Sequence, residues 1–224
     1  MGCAGSVPGP DAACSCYLVE ADGYRLLLDL GVGAVGPLQR YAAPSTVDAA
    51  FITHAHGDHY YDLWSLAYLR ERAGVTDPLP VYGPQRVAAQ FPDVSEMSFE
   101  PVPDKAGPWR MRWAVADHPE ENWAVRLDDA LCYTGDSHPC AALDDLADGC
   151  AVLLAEAAEF DSGRRSGGHL SAGDAGRLAA RSGARVLVLT HLRSWQDHGA
   201  LLAEAAREAD CPVLLATPGL TMSI

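Results

Sequence analysis

The stretch Thr53-His54-Ala55-His56-Gly57-Asp58-His59 decides how the chain is read. Four potential metal ligands, His54, His56, Asp58 and His59, follow directly on the apolar run Ala49-Ala50-Phe51-Ile52. A short apolar run of this kind reads as a buried strand, and ligands at a strand end are fixed by the sheet behind them. Imidazole and carboxylate together suit zinc and its first-row neighbours. The competing reading, a solvated His-rich turn, gives no reason for three of only eight histidines to crowd one strand end.

Four later runs end in the same way. The run 111–118 alternates as a strand should and ends on His118, with 122–127 as its return strand; 130–136 ends on Asp136, 151–156 on Glu156 and 186–191 on His191. One strand ending on a ligand type is unremarkable, but five imply that five strand ends converge on one place. Ahead of the cluster, 16–20 and 24–30 around the turn 21–23 form a β-hairpin signature. Asp29 closes that hairpin where its carboxylate can support a neighbouring histidine ligand. The glycine-rich segment 31–36 lacks the strand and helix context of a dinucleotide site, so it reads as backbone room near the pocket, with a phosphate cradle as the alternative.

The remaining pattern is mixed α/β. Helices are expected at 37–41, at 61–72 stopped by Ala73-Gly74, at 85–90 with Pro84 in the first turn, and at 200–209. Ser171-Ala172-Gly173-Asp174 is a capping box opening a helix over 175–182, with Gly183 as its stop. Short strands are expected at 79–82 and 212–217, and residues 1–10 have a loop composition.

Composition bounds the function. Hydrophobic residues at 49% and charged ones at 21% describe an ordinary globular chain, and no apolar run approaches the roughly 20 residues that span a bilayer. The net charge of −14 repels polyanions and disfavours extended contact with nucleic acid backbone. Seven cysteines without metal spacing, and no secretory signal, point to reduced thiols in the cytoplasm.

These residues resemble the metallo-β-lactamase superfamily. Thr53 to His59 matches its HxHxDH motif, and His118, Asp136 and His191 fall where that family places its remaining ligands. Leu28-Asp29-Leu30-Gly31, Tyr133-Thr134-Gly135-Asp136 and Leu189-Thr190-His191-Leu192 match the surrounding patterns. Leu154-Ala155-Glu156-Ala157 and Gly168-His169-Leu170-Ser171 resemble the Glu and His motifs of the phosphodiesterase branch that includes ribonuclease Z. Val7-Pro8-Gly9-Pro10-Asp11, the segment 33–40, and Thr190-His191-Leu192 before Trp195 are similar to actinobacterial cyclic-nucleotide phosphodiesterases of this fold.

The resemblance implies a four-layer αββα sandwich formed by residues 1–224 as one domain, with two metals at one edge. Relatives open with a strand before a Gly-Cys-Ser-Gly-Ser-like loop, so here that strand is expected to be missing or the start misplaced. Carried over, His54, His56 and His118 hold one ion, Asp58, His59 and His191 the other, and Asp136 bridges them. Zinc is the first choice and manganese the second, with a shared hydroxide as nucleophile. Asp58, Glu156 and His169 are the expected catalytic residues: His169, held by Glu156, protonates the leaving oxygen or binds the phosphoryl group, the alternative being a loop histidine at the Ser171 cap. His138 and His198 read as loop and helix-start residues, and Arg193 as either a phosphate contact or a surface arginine.

Relatives that process transfer RNA carry an arm between the counterparts of His118 and Asp136, where this chain has only residues 119–135. The expectation is therefore a hydrolase of a small phosphodiester, a cyclic nucleotide, without transfer RNA or membrane as partner, and a homodimer. Hydrolysis of a lactone or ester is the alternative within enzymes. A non-catalytic metal-bound binding protein is the alternative outside them, disfavoured because no expected ligand is missing.

Overall fold

The computed structural model describes residues 1–162 and 167–223. Ser166, which opens the glycine-flanked segment before His169, lies outside them.

The strands form two large sheets. One has the order Tyr17–Ala21, Tyr24–Leu28, Ala49–Phe51, Leu79–Tyr82 and Met97–Glu100. The other runs Val213–Leu215, Val186–Thr190, Val152–Glu156, Leu131–Tyr133, Asn122–Leu127, Trp109–Ala116 and Lys105–Ala106. Their central strands are apolar on both faces, as expected for sheets covered on both sides. Successive side chains leave opposite faces of a strand, and the packing follows that alternation. Leu26, Leu28 and Phe51 of one sheet meet Val125, Tyr133, Leu154 and Val188 of the other in a shared middle layer.

The alternate residues face outward. Leu27, Ala50 and Ile52 pack against Leu63, Leu66 and Val87 of the flanking helices Leu63–Arg72 and Gln85–Ala88. On the far side, Leu153, Leu187 and Leu189 pack against Leu143, Leu178 and Leu201 of helices Ala141–Ala147, Ala172–Ser182 and His198–Glu208. Three apolar layers separating helix, sheet, sheet and helix make the αββα sandwich.

Strand direction decides where the site lies. Leu131–Tyr133, Val152–Glu156 and Val186–Thr190 pair parallel. Trp109–Ala116 is antiparallel to Asn122–Leu127, which is antiparallel to Leu131–Tyr133, so two reversals return it to the common direction. The C-terminal ends leading to His118, Asp136, Glu156 and His191 therefore share one edge. Across the sandwich, Trp123 donates its backbone N–H to Thr53 O at 2.9 Å, tying the end of the strand Ala49–Phe51 to that edge.

Several local expectations are corrected. Residues 1–10 are not all loop, because Gly2–Ala4 pairs parallel with Ala13–Cys14. The helix expected at 37–41 occupies Val35–Leu38, where Val35 N–H finds the carboxylate of Asp62 at 2.8 Å, an acceptor that local sequence does not reveal. The helix expected at 61–72 is present as Leu63–Arg72, stopped at Ala73, but a separate helical turn, Gly57–Tyr60, precedes it within the ligand segment. Pro84 is the N-cap of its helix, not a first-turn residue. The capping box at Ser171 and Asp174 is present, and the helix starts directly after it at Ala172, with Gly183 left-handed at the stop. The strand Met97–Glu100 and helix Ala141–Ala147 had no reading; the helix is anchored by the buried Arg126, which donates to Leu146 O at 3.0 Å. Among the described residues no helix is long and apolar enough to cross a membrane.

Candidate metal centre

The shared edge brings all seven expected ligand residues together. His54, His56, His118 and Asp136 form one group whose ligand atoms lie within 4.8 Å of one another, and Asp58, His59 and His191 form another by the same measure. Asp136 lies between them. Its Oδ2 is 3.7 Å from His54 Nε2 and 3.4 Å from His191 Nε2, and its Oδ1 is 3.4 Å from His59 Nε2. His191 Nε2 also meets Asp58 Oδ2 at 3.0 Å. His54 Nε2 and His56 Nδ1 approach to 3.0 Å, two ring nitrogens turned toward one another.

Neighbouring groups fix which nitrogen of His59 and of His118 faces inward. Asp29 Oδ2 lies 2.7 Å from His59 Nδ1, so that nitrogen donates and Nε2 is left toward the centre. The support expected from the end of the hairpin is present. Asp29 also accepts from Thr53 N at 2.7 Å, Thr53 Oγ1 at 3.0 Å and Tyr133 OH at 2.7 Å, so one buried carboxylate joins both sheets. His118 Nδ1 is held by the carbonyl of Glu120 at 2.8 Å, and Ser6 N–H donates to Asp58 Oδ2 at 2.8 Å. Ser6, Asp29 and His191 are three of the five described non-glycine residues with positive φ, a strain that collects where the chain turns to aim groups into the centre. Gly31 vindicates the reading of the glycine-rich segment as backbone room, since a Cβ there would lie 1.9 Å from the carbonyl oxygen of Asp58.

The donor set fits divalent metal. His59 Nε2 and Asp136 Oδ1 are buried and make no hydrogen bond, although burying a polar group without a partner is costly. Burial, helped by the neighbouring imidazoles, holds His54 well below the usual histidine range, and burial likewise lowers His118, so both rings favour the neutral form that a metal requires. Burial alone would raise the Asp136 carboxyl, but His191 and His59 outweigh it and keep it well below the usual carboxylate range. The Asp58 carboxyl is lowered too, its burial overcome by the hydrogen bond from His191 and the charge of His59.

A third group adjoins these two: Asp136, Glu156, His169 and His191 also place ligand atoms within 4.8 Å of one another. His169 Nδ1 lies 2.9 Å from Glu156 Oε2 and 3.7 Å from Asp136 Oδ2, so the expected pairing of His169 with Glu156 is present and the reading of His169 as a bare capping residue is not. Burial opposes a charge on His169, but the Glu156 carboxylate outweighs it and raises the ring to about 9. Burial and the charge of Asp136 push the Glu156 carboxyl up, and both shifts favour a pair that holds a proton at neutral pH. Arg193 lies 3.9 Å from Glu159 and near enough to His169 for its charge to act on that ring.

His198 opens its helix as expected and contacts Arg193 O at 2.9 Å. His138 is not only a loop residue: its Nε2 accepts from Gly168 N–H at 2.7 Å. Sequence reasoning missed Ser6, Asn122 and the carbonyl of Glu120. Asn122 bonds the backbone on both sides of Gly135, at Thr134 O and Asp136 N, and its polar position at the head of a strand was the available signal.

Comparison with known proteins agrees with this geometry. The sequence profile of the Metallo-beta-lactamase superfamily matches residues 9–123. The chain is 36% identical over 251 residues to an uncharacterized protein of Mycobacterium leprae, covering 100% of this chain and 87% of that one. It is 27% identical over 277 residues to the ribonuclease Z of Myxococcus xanthus, covering 92% of this chain and 90% of that one. The crystal structure of the metallo-beta-lactamase fold protein YhfI from Bacillus subtilis superposes with a TM-score of 0.92 at 28% identity, covering 98% of this chain and 95% of that one. Fold, motif spacing and relatives agree, and the chain belongs to the metallo-β-lactamase superfamily.

Proposed function

We propose that this metal-dependent hydrolase cleaves a small phosphodiester, a cyclic nucleotide, at a centre of two divalent ions, zinc in preference to manganese. The observation that carries the reading is the Glu156 and His169 pair, 2.9 Å apart and 3.7 Å from Asp136, a proton donor placed beside the ligand cluster. His54, His56 and His118 would hold one ion and Asp58, His59 and His191 the other, with Asp136 shared. When bound, the ions supply Lewis acidity and a water acidic enough to act as nucleophile near neutral pH.

The chain's own groups divide the remaining work. Asp58, oriented by Ser6 N–H at 2.8 Å, fixes the attacking side of the site. His169, charged by its contact with Glu156, offers its proton to the leaving oxygen, a role typically worth about 10²- to 10⁴-fold. Arg193 adds positive charge on the same side, and together with bound ions it would offset the charge of one phosphodiester inside a chain of net charge −14.

A ribonuclease cleaves a phosphodiester, so the relative of that name supports the reaction class and also brings RNA into play. A small substrate is favoured here by the acidic surface and by the short connection over residues 119–135, since transfer RNA binding needs basic contacts spread over many phosphates. The proposed unit is one domain over residues 1–224, a homodimer in the cytoplasm, where its seven unpaired cysteines would stay reduced. The test is a side-by-side assay of 3′,5′-cyclic AMP, 2′,3′-cyclic nucleotides, bis(p-nitrophenyl) phosphate, a lactone and a precursor transfer RNA at matched metal and salt. Efficient trimming of the transfer RNA, or a hundredfold preference in kcat/KM for the lactone over every phosphodiester, would overturn the reading.

A further inference from the structure

The segment Ser137-His138 follows directly on Asp136 and contacts both Glu156, the partner of the His169 ring, and Gly168, the residue before it. Ser137 N–H donates to Glu156 Oε1 at 2.6 Å, leaving Glu156 Oε2 for His169 Nδ1 at 2.9 Å. His138 N–H donates to Asp117 O at 2.6 Å, which fixes His138 beside the turn that carries His118. With its backbone held there, His138 reaches across 30 residues of sequence and accepts the Gly168 N–H on Nε2 at 2.7 Å. Gly168 is the residue before His169, and it has little freedom: its φ is +113°, and a Cβ would meet His118 Cδ2 and Pro119 Cδ, each at 2.8 Å.

Two supports therefore act on His169, one on its ring through Glu156 and one on its backbone through Gly168. The first alone does not place the ring, because an imidazole bonded at one nitrogen can still swing with its Cα. Fixing the preceding amide removes that motion. We propose that His138 is a positioning residue for His169: by accepting the Gly168 N–H it sets the His169 backbone so that the ring meets Glu156 and the reacting oxygen together. This rests on the role given to His169 above. It predicts that losing the acceptor costs turnover rather than metal, since His138 belongs to neither of the two ligand groups proposed to hold the ions and its side chain bonds Gly168 instead.

The experiment compares His138→Ala, which removes the acceptor, with His138→Gln, whose amide oxygen can occupy the place of Nε2, in the metal-loaded full chain. Three readouts are taken: kcat and KM on the best substrate of the panel, metal content, and hydrogen exchange of the Gly168 amide. In His138→Ala the Gly168 amide should exchange faster and kcat should fall by about 10- to 100-fold, the scale of a misplacement near 1 Å, with metal content unchanged. His138→Gln should restore most of both. The double variant His138→Ala/His169→Ala should be no slower than His169→Ala, because the first change acts through the second residue. Unchanged exchange at Gly168 overturns the proposal, as does faster exchange with kcat within twofold of wild type, a multiplicative double variant, or metal loss in His138→Ala. The phosphodiester reading fails separately, by the wild-type chain preferring a lactone, and the same variants are then compared on that substrate.

Discussion

Asp29→Asn tests the support beneath the metal centre. The Asp29 carboxylate is fully buried and accepts from Thr53 N–H and from His59 Nδ1 and Tyr133 OH, each at 2.7 Å, and from Thr53 Oγ1 at 3.0 Å. An amide has the same shape but only one acceptor oxygen. Turned one way, its NH₂ faces the Thr53 N–H; turned the other way, it faces the His59 and Tyr133 donors. Either orientation loses a hydrogen bond to a charged group, about 1.5–3 kcal/mol, and leaves a buried donor unsatisfied, about 1–3 kcal/mol more. The expected loss is about 3–5 kcal/mol, the scale seen when a buried charged pair is broken. Domains of this kind hold about 5–15 kcal/mol in all, so the variant should fold but be much weaker. Its His59 ring is also freed to turn, which should weaken metal binding by about 10- to 100-fold. Urea unfolding with chelator present measures the first effect, and titration against a chromophoric chelator measures the second. A change below about 1 kcal/mol with metal affinity intact would refute the assignment of Asp29 as the support of His59.

Other outcomes follow from the same geometry. Elemental analysis of protein reconstituted with excess zinc should give close to two ions per chain, and a ratio that stays at or below one would sink the two-ion reading. Asp58→Ala and Asp136→Ala should each abolish turnover while circular dichroism shows the fold retained; activity within tenfold of wild type in either would mean the ligand assignment is wrong. His169→Ala should lower kcat by about 10²- to 10⁴-fold with metal content unchanged, and loss of metal instead would make the adjoining group of Asp136, Glu156, His169 and His191 a binding site.

The strand ends that meet at the shared edge were legible because each is a local pattern, an apolar run closed by a His, Asp or Glu. The hairpin turn was legible for a similar reason, with Asp22 and Gly23 both at positive φ between paired strands. The capping box at Ser171 is likewise local, its two hydrogen bonds lying three residues apart. The start of the helix Val35–Leu38 was not legible, because the group that satisfies its first amide, Asp62, is 27 residues away. The strand Met97–Glu100 was missed because it is four residues long and takes its order from parallel pairing with Leu79–Tyr82 rather than from its own alternation.

Strand ends in a sequence carry no direction, and direction is what makes five of them one site. Had Trp109–Ala116 paired straight onto Leu131–Tyr133 as an antiparallel neighbour, His118 would lie at the opposite edge from Asp136. The return strand Asn122–Leu127 supplies the second reversal that prevents this. The supports are hidden more deeply than the ligands. Ser6 acts on Asp58 through an amide, Glu120 on His118 through a carbonyl, and His138 on Gly168 through an amide. Backbone groups are the same at every residue, so no motif records them. A histidine that holds an amide looks, in sequence, like any loop histidine, and only its 2.7 Å contact across the fold separates His138 from one.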